Sequence, residues 1–151
     1  PTRLYNKMVH PLHGFPVRGV LWYQGESNAW PGAAFSYREQ FTALIEDWRR
    51  LWGDPELPFL WAQLASFLPP PAKPGESDWA LLRESQSAAL ALPATAQAVL
   101  IDAGDATDVH PRDKRVVGER LALVSAGMLL FLGILDSAYF RRTGMFDGNA
   151  R

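Results

Sequence analysis

Three short apolar runs alternate with three amphipathic stretches, and this alternation restricts the fold more than any other feature of the chain. Val17 to Tyr23, Leu57 to Ala65 and Ala96 to Asp102 are apolar and bounded by turn signals, the pattern of buried strands. Between the first two, Ala34 to Trp52 places Phe41, Leu44, Ile45, Trp48 and Trp52 at helical spacing, and Gly53 closes the stretch as a C-terminal cap. Its charged residues Arg38, Glu39, Glu46, Asp47, Arg49 and Arg50 read as solvated and flanking faces. Ser77 or Asp78 can cap a helix from Trp79 to about Leu92, which Pro93 stops. Past Asp113, Val117, Leu121, Val124 and Met128 recur at helical spacing once more. Strand and helix in strict alternation predict an α/β fold with a parallel sheet covered by helices on both faces.

The connecting segments are less regular. Pro1 to Pro16 suggests a short helical turn and a loop, with His10 and His13 as surface loop histidines. Ser66 to Ser77, with Pro69-Pro70-Pro71 and Pro74-Gly75, reads as a long loop without regular structure, placed to overhang a site. Leu121 to Leu135 is uncharged but shorter than the ~20 residues of a spanning helix, and Ser125, Gly127 and Gly133 interrupt it. A buried helix followed by a buried strand is the better reading. Residues 1–133 are taken as the domain and 134–151 as a tail that adds a strand or leads onward. The start at Pro1, without methionine or an apolar leader, points to a processed or truncated piece.

Composition narrows the function. Lysine plus arginine (15) balances aspartate plus glutamate (16) and no basic cluster occurs, so neither nucleic acid nor an anionic membrane is the expected partner. With no cysteine, disulfides, thiolate catalysis and thiolate metal sites are excluded. Zinc-ligand spacing and a phosphate-cradling glycine loop are also missing.

What remains is polar chemistry at the strand ends. All tips of a parallel sheet point the same way, and ligands bind there. The first strand ends in Gln24-Gly25-Glu26-Ser27-Asn28, and the third runs into Asp102 to Pro111. In that second loop His110 lies two residues from Asp108 and before Pro111, a spacing in which a carboxylate orients an imidazole for general-base work. The same residues can equally cap the amides of a loop leading into a helix. Ser27 resembles a nucleophile elbow, although Ala29 stands where its final glycine belongs and no helix follows directly. Glu26 with Asp102 or Asp105 would serve glycoside chemistry if the pair faced one cavity. Gln63 is the one polar residue inside the second strand.

Several blocks taken together resemble a known family. Tyr5-Asn6-x-Met8, Arg18-Gly-Val-Leu-Trp-Tyr-Gln-Gly-Glu-Ser-Asn28, Leu57-Pro-Phe, Leu82-Arg-Glu-Ser-Gln86 and Asp108-Val-His-Pro-Arg112-Asp-Lys114 are similar, in order, to the catalytic domain of sialate O-acetylesterases among the SGNH-type carbohydrate esterases. The resemblance implies a three-layer α/β/α domain of SGNH-hydrolase or flavodoxin-like type. It also implies removal of acetyl esters from sialic acids or related sugars by a serine nucleophile, with no metal and no organic cofactor. His110 falls on the late catalytic histidine. The superfamily places an aspartate three residues before that histidine, where this chain has Thr107, so Asp108 and Glu26 are both candidates for the acid. Gln24, Gly25, Ser27, Asn28, Gln63 and Arg83 are candidates for binding the substrate or the oxyanion. In the family the serine lies in an early Gly-Gln-Ser-Asn-like block, absent before Tyr5, which implies a C-terminal portion of the domain with its nucleophile upstream. The compartment is not given by the sequence; the resemblance suggests a secreted, periplasmic or lysosomal one. Two alternatives stay open: a self-contained hydrolase using Ser27, and a non-catalytic sugar-binding domain with Trp22, Tyr23 and Trp30 as its platform.

Overall fold

The computed structural model describes the backbone of residues 3–143 and the side chains of residues 3–130. In chain order the strands are β1 (Val20–Trp22), β2 (Phe59–Ala62), β3 (Ser66–Phe67), β4 (Thr95–Ala98) and β5 (Gly104–Asp105). The helices are α1 (Ala33–Trp52), α2 (Asp78–Ala88) and α3 (Arg115–Thr143). β1, β2 and β4 form a parallel sheet in that order, with Val20 opposite Phe59 and Phe59 opposite Thr95.

The two crossovers step the same way across this sheet, and right-handed connections then put their helices on one face. α1 and α2 indeed share a face and pack on each other. Phe41 and Ile45 of α1 and Leu82 of α2 enclose Phe59 and Trp61 of β2. The rings meet edge to face, Phe41 against Trp61 at 5.1 Å and against Phe59 at 6.1 Å, the arrangement that aromatic quadrupoles favour. On the opposite face Val117 and Leu121 of α3 cover Ala62, Ala98 and Leu100. This is the three-layer α/β/α architecture. β2 is buried along its whole length, as a central parallel strand with both faces covered requires.

The ends of the elements depart from the apolar runs. Pairing begins where the Val20 amide donates to the Pro58 carbonyl at 2.8 Å, and proline has no N–H to carry the ladder further back. Ser77 caps α2 as predicted, its hydroxyl accepting from the Ala80 amide, and the Gly53 amide closes α1 on the Arg49 and Arg50 carbonyls. Arg49 is no solvated residue. It is 5% exposed and donates to the carbonyls of Leu57 and Pro93, so burial lowers its pKa without leaving its N–H groups unbonded. The stretch read as irregular from Ser66 begins with a two-residue strand, β3, paired in parallel with β5. A pairing this short has no periodicity to read.

The larger correction concerns Leu121 to Leu135. No break or strand follows the helix, and α3 continues to Thr143. Interior glycine costs a helix about 1 kcal/mol each, which Gly127 and Gly133 do not raise to a stop, and no proline lies between Arg112 and Thr143. The strand expected within residues 134–151 is therefore not formed up to Thr143, and the remainder lies outside the described residues. No helix among the described residues is long and apolar enough to cross a membrane.

Candidate active site

β1 delivers its tip into a cradle built by α1 and α2. Gly25 is buried with φ 152°, and a Cβ there would stand 2.8 Å from Leu82 Cδ2 and 3.3 Å from Gln86 Nε2. Only glycine fits this approach. Gln86, fully buried on α2, donates from Nε2 to the Gln24 carbonyl (3.2 Å) and accepts the Leu64 amide at Oε1 (3.0 Å). One side chain thus bonds the segments that follow both β1 and β2. The Tyr37 hydroxyl of α1 donates to Gln24 Oε1 at 2.9 Å, and Gln24 Nε2 donates to Asn28 Oδ1 at 3.0 Å. Burial, with a smaller contribution from the Glu26 charge, pushes the Tyr37 hydroxyl up to about 12 and keeps it a donor.

Glu26–Asn28 then forms a single 3-10 turn. Glu26 Oε2 accepts the Gly25 amide at 3.0 Å, so the carboxylate folds over its own turn. Ser27 is exposed, and its carbonyl receives Trp30 Nε1 at 3.1 Å, which fixes an indole 58% exposed beside the tip.

The loop after β4 is tied down separately. The Ser66 amide and hydroxyl both donate to the Ala103 carbonyl, at 2.7 and 2.5 Å. A Cβ at Gly104, where φ is 123°, would overlap the Ser66 carbonyl. Asp105 Oδ1 accepts the Thr107 amide and hydroxyl, both at 2.8 Å, and these bonds hold the Asp105 carboxyl below its usual range. Asp108 Oδ1 accepts the His110 amide at 2.9 Å, and Asp113 Oδ1 accepts the Arg115 amide where α3 begins. Asp102 is gripped by both terminal nitrogens of Arg120, at 2.5 and 2.6 Å, and this pairing draws its carboxyl down to about 2. Asp102 and Asp105 are thus both engaged by partners of their own, Arg120 and Thr107.

The predicted residues separate into three groups. Gln24, Gly25, Glu26, Ser27 and Asn28 form one connected turn. Asp108 and His110 sit together on the second loop, bonded through the histidine backbone; among the described residues neither the His110 ring nor the Ser27 hydroxyl has a hydrogen-bond partner. Gln63 faces α2, its Nε2 bonding the Arg83 carbonyl (3.4 Å) and Ser87 Oγ (3.3 Å). Arg83 itself keeps a buried Nη1 without a partner among the described residues, and burial lowers its pKa.

Sequence reasoning missed Tyr37 and the supporting role of Gln86. The signal for Gln86 was present: it is a polar residue four positions from Leu82 and three from Ala89, on the apolar face of its helix. His10 and His13 are exposed, and His13 Nε2 donates to the Leu51 carbonyl at 2.7 Å. Among the described residues no group of histidine and carboxylate side chains is arranged to hold a metal.

Comparison with known proteins identifies the family. The sequence profile of "Carbohydrate esterase, sialic acid-specific acetylesterase" matches residues 1–125. Sialate O-acetylesterase of Mus musculus is 37% identical over 145 residues, covering 82% of this chain and 26% of its own length. The Homo sapiens protein of the same name is 37% identical over 162 aligned residues, covering 96% and 29%. Among solved structures, a carbohydrate acetylesterase from Xanthomonas citri superposes with TM-score 0.77 at 62% identity, over 83% of this chain and 29% of its own. A protein from Arabidopsis thaliana gives TM-score 0.52 at 26% identity, over 74% of this chain and 44% of its own. The chain therefore spans between a quarter and a third of the curated relatives it matches. By profile, by identity and by fold, this chain belongs to the sialic acid-specific acetylesterase family of carbohydrate esterases.

Proposed function

We propose that this chain carries the general base of an enzyme that hydrolyses acetyl esters on a sialic acid or related sugar, and that His110 is that base. The observation that carries the reading is the family match through residues 1–125, which takes in both the Gln24–Asn28 turn and the His110 loop. A serine attacks the acetyl carbonyl while His110 accepts its proton, and His110 then returns the proton to the departing sugar hydroxyl. Water releases acetate from the acyl-serine by the same proton transfers. No metal or organic cofactor enters these steps.

The nucleophile is proposed to come from the part of the enzyme outside these 151 residues, as the early-block pattern of the family implies. Ser27 is the competing candidate within the chain. Its exposure favours it, and its lack of a histidine partner among the described residues does not. Glu26 or Asp108 orients His110; each carboxylate has one oxygen engaged by a backbone amide. Asn28 accepts at Oδ1, which leaves its amide nitrogen as a free donor in the turn for an oxyanion. Gln24 and Gly25 hold that donor in place, and Gln63 and Arg83 are further proposed substrate-binding residues.

The test is acetate release from an O-acetylated sialic acid by the enzyme containing this chain, with Glu26→Gln and Asp108→Asn made separately. The partner of His110 is the residue whose loss lowers kcat by about 10³-fold or more, and the other changes it by less than about tenfold. If neither substitution exceeds tenfold, the proposed acid is wrong at both positions. Peptide mapping after a fluorophosphonate probe decides the nucleophile: an adduct on Ser27 that requires His110 would make the chain a self-contained hydrolase. Exposed Trp30 beside the turn also suits a domain that binds sugar without turnover, and absence of acetate release with retained binding would select that reading.

A further inference from the structure

The Gln24–Asn28 turn and the His110 loop are each braced internally, yet among the described residues no hydrogen bond or ion pair joins one to the other. Residues that flank the two are in contact. Lys114 Nζ lies over the ring of Tyr23, 5.1 Å from its centroid. Tyr23 immediately precedes Gln24, and Lys114 is four residues beyond His110 and immediately before α3.

The neighbouring cations of α3 are engaged elsewhere. Arg115 pairs with Glu119, and Arg120 pairs with Asp102. Lys114 makes no ion pair among the described residues, so the aromatic face is its contact. The ring is itself fixed, because Tyr23 packs partly buried against the cluster formed by Ala62, Ala65, Ala98, Leu100, Val117 and Leu121. A fixed ring at the foot of one loop and a cation at the end of the other make a tether.

The geometry points to Lys114 and Tyr23 as a positioning pair that sets the His110 loop relative to the Glu26 turn. This role in catalysis rests on the reading of His110 as the base. Neither side chain transfers a proton or touches the ester. The pair limits how far the loop carrying the base swings from the turn carrying the carboxylate and the oxyanion donor.

The experiment compares Lys114→Met, Lys114→Arg and Tyr23→Phe in the enzyme containing this chain, with two readouts. Amide hydrogen exchange over residues 104–113 is expected to quicken about two- to five-fold in Lys114→Met, the range an exposed cation over an aromatic face corresponds to. It is expected to stay at the wild-type rate in Lys114→Arg, which keeps the cation, and in Tyr23→Phe, which keeps the ring. Acetate release should show kcat reduced by at least the same factor in Lys114→Met with KM unchanged, and restored in Lys114→Arg. Unchanged exchange in Lys114→Met overturns the tether whatever the enzyme hydrolyses. Faster exchange with unaltered kcat overturns its positioning role. Failure of the wild-type enzyme to release acetate sinks the esterase reading, and with it the catalytic role, while exchange alone still decides the tether.

Discussion

Gly25 and Gln86 show how much of the turn rests on single side chains. Gly25→Ala places a methyl group against Leu82, a fully buried residue, on a backbone at φ 152°. We expect a loss of about 1–3 kcal/mol in urea denaturation together with a fall in activity, because the turn must shift to relieve the contact. Gln86→Leu keeps the volume but strips partners from the Leu64 amide and the Gln24 carbonyl, and is expected to cost about 2–4 kcal/mol in the same measurement. Asp102 offers a test by pH. Its folded carboxyl lies at about 2, below its ordinary value of 3.8, so its contribution is complete above the ordinary value and lost as pH falls through about 2. The pair with Arg120 is solvent-exposed, so the effect should be small and weakened by salt. Wild-type stability should therefore fall more steeply between pH 4 and pH 2 than that of Asp102→Asn, and parallel profiles would remove the pair from the account.

α3 behaves as two segments along one continuous helix. Val117 and Leu121 close the core on the sheet face opposite α1 and α2, whereas Leu129 and Leu130, further along, are 64% and 68% exposed. Leu121→Ala is accordingly expected to cost about 2–3 kcal/mol, and Leu129→Ala less than about 0.5 kcal/mol, by chemical denaturation. The core half was legible in the sequence, since Val117, Leu121 and Val124 repeat at helical spacing. The continuation was not legible, because Met128 to Leu135 is apolar on every side and such a run fits a buried strand as well as a helix. The same distinction holds for α1. Phe41 and Ile45 announced its buried face, but Arg49 was misread because its partners are backbone carbonyls of Leu57 and Pro93, which no side-chain pattern reveals.

For the molecule as a whole, the layer order followed from the alternation of strands and helices, and the direction of the strand tips followed from the layer order. That put Gln24 to Asn28 and Asp102 to His110 at one edge before any contact was known. The sequence left unread what braces these loops: Gln86 reaching from α2, Tyr37 from α1, and Lys114 lying on Tyr23, all of them contacts between residues distant along the chain. The chain belongs to the sialic acid-specific acetylesterase family, and the proposed acetyl-ester hydrolysis depends most on His110. The most direct test is the rate of acetate release from an O-acetylated sialic acid by the enzyme containing this chain, wild type against His110→Ala. With His110 as the base, kcat is expected to fall by about 10³-fold or more while KM and the unfolding midpoint are retained. A His110→Ala enzyme that releases acetate at the wild-type rate would contradict this role.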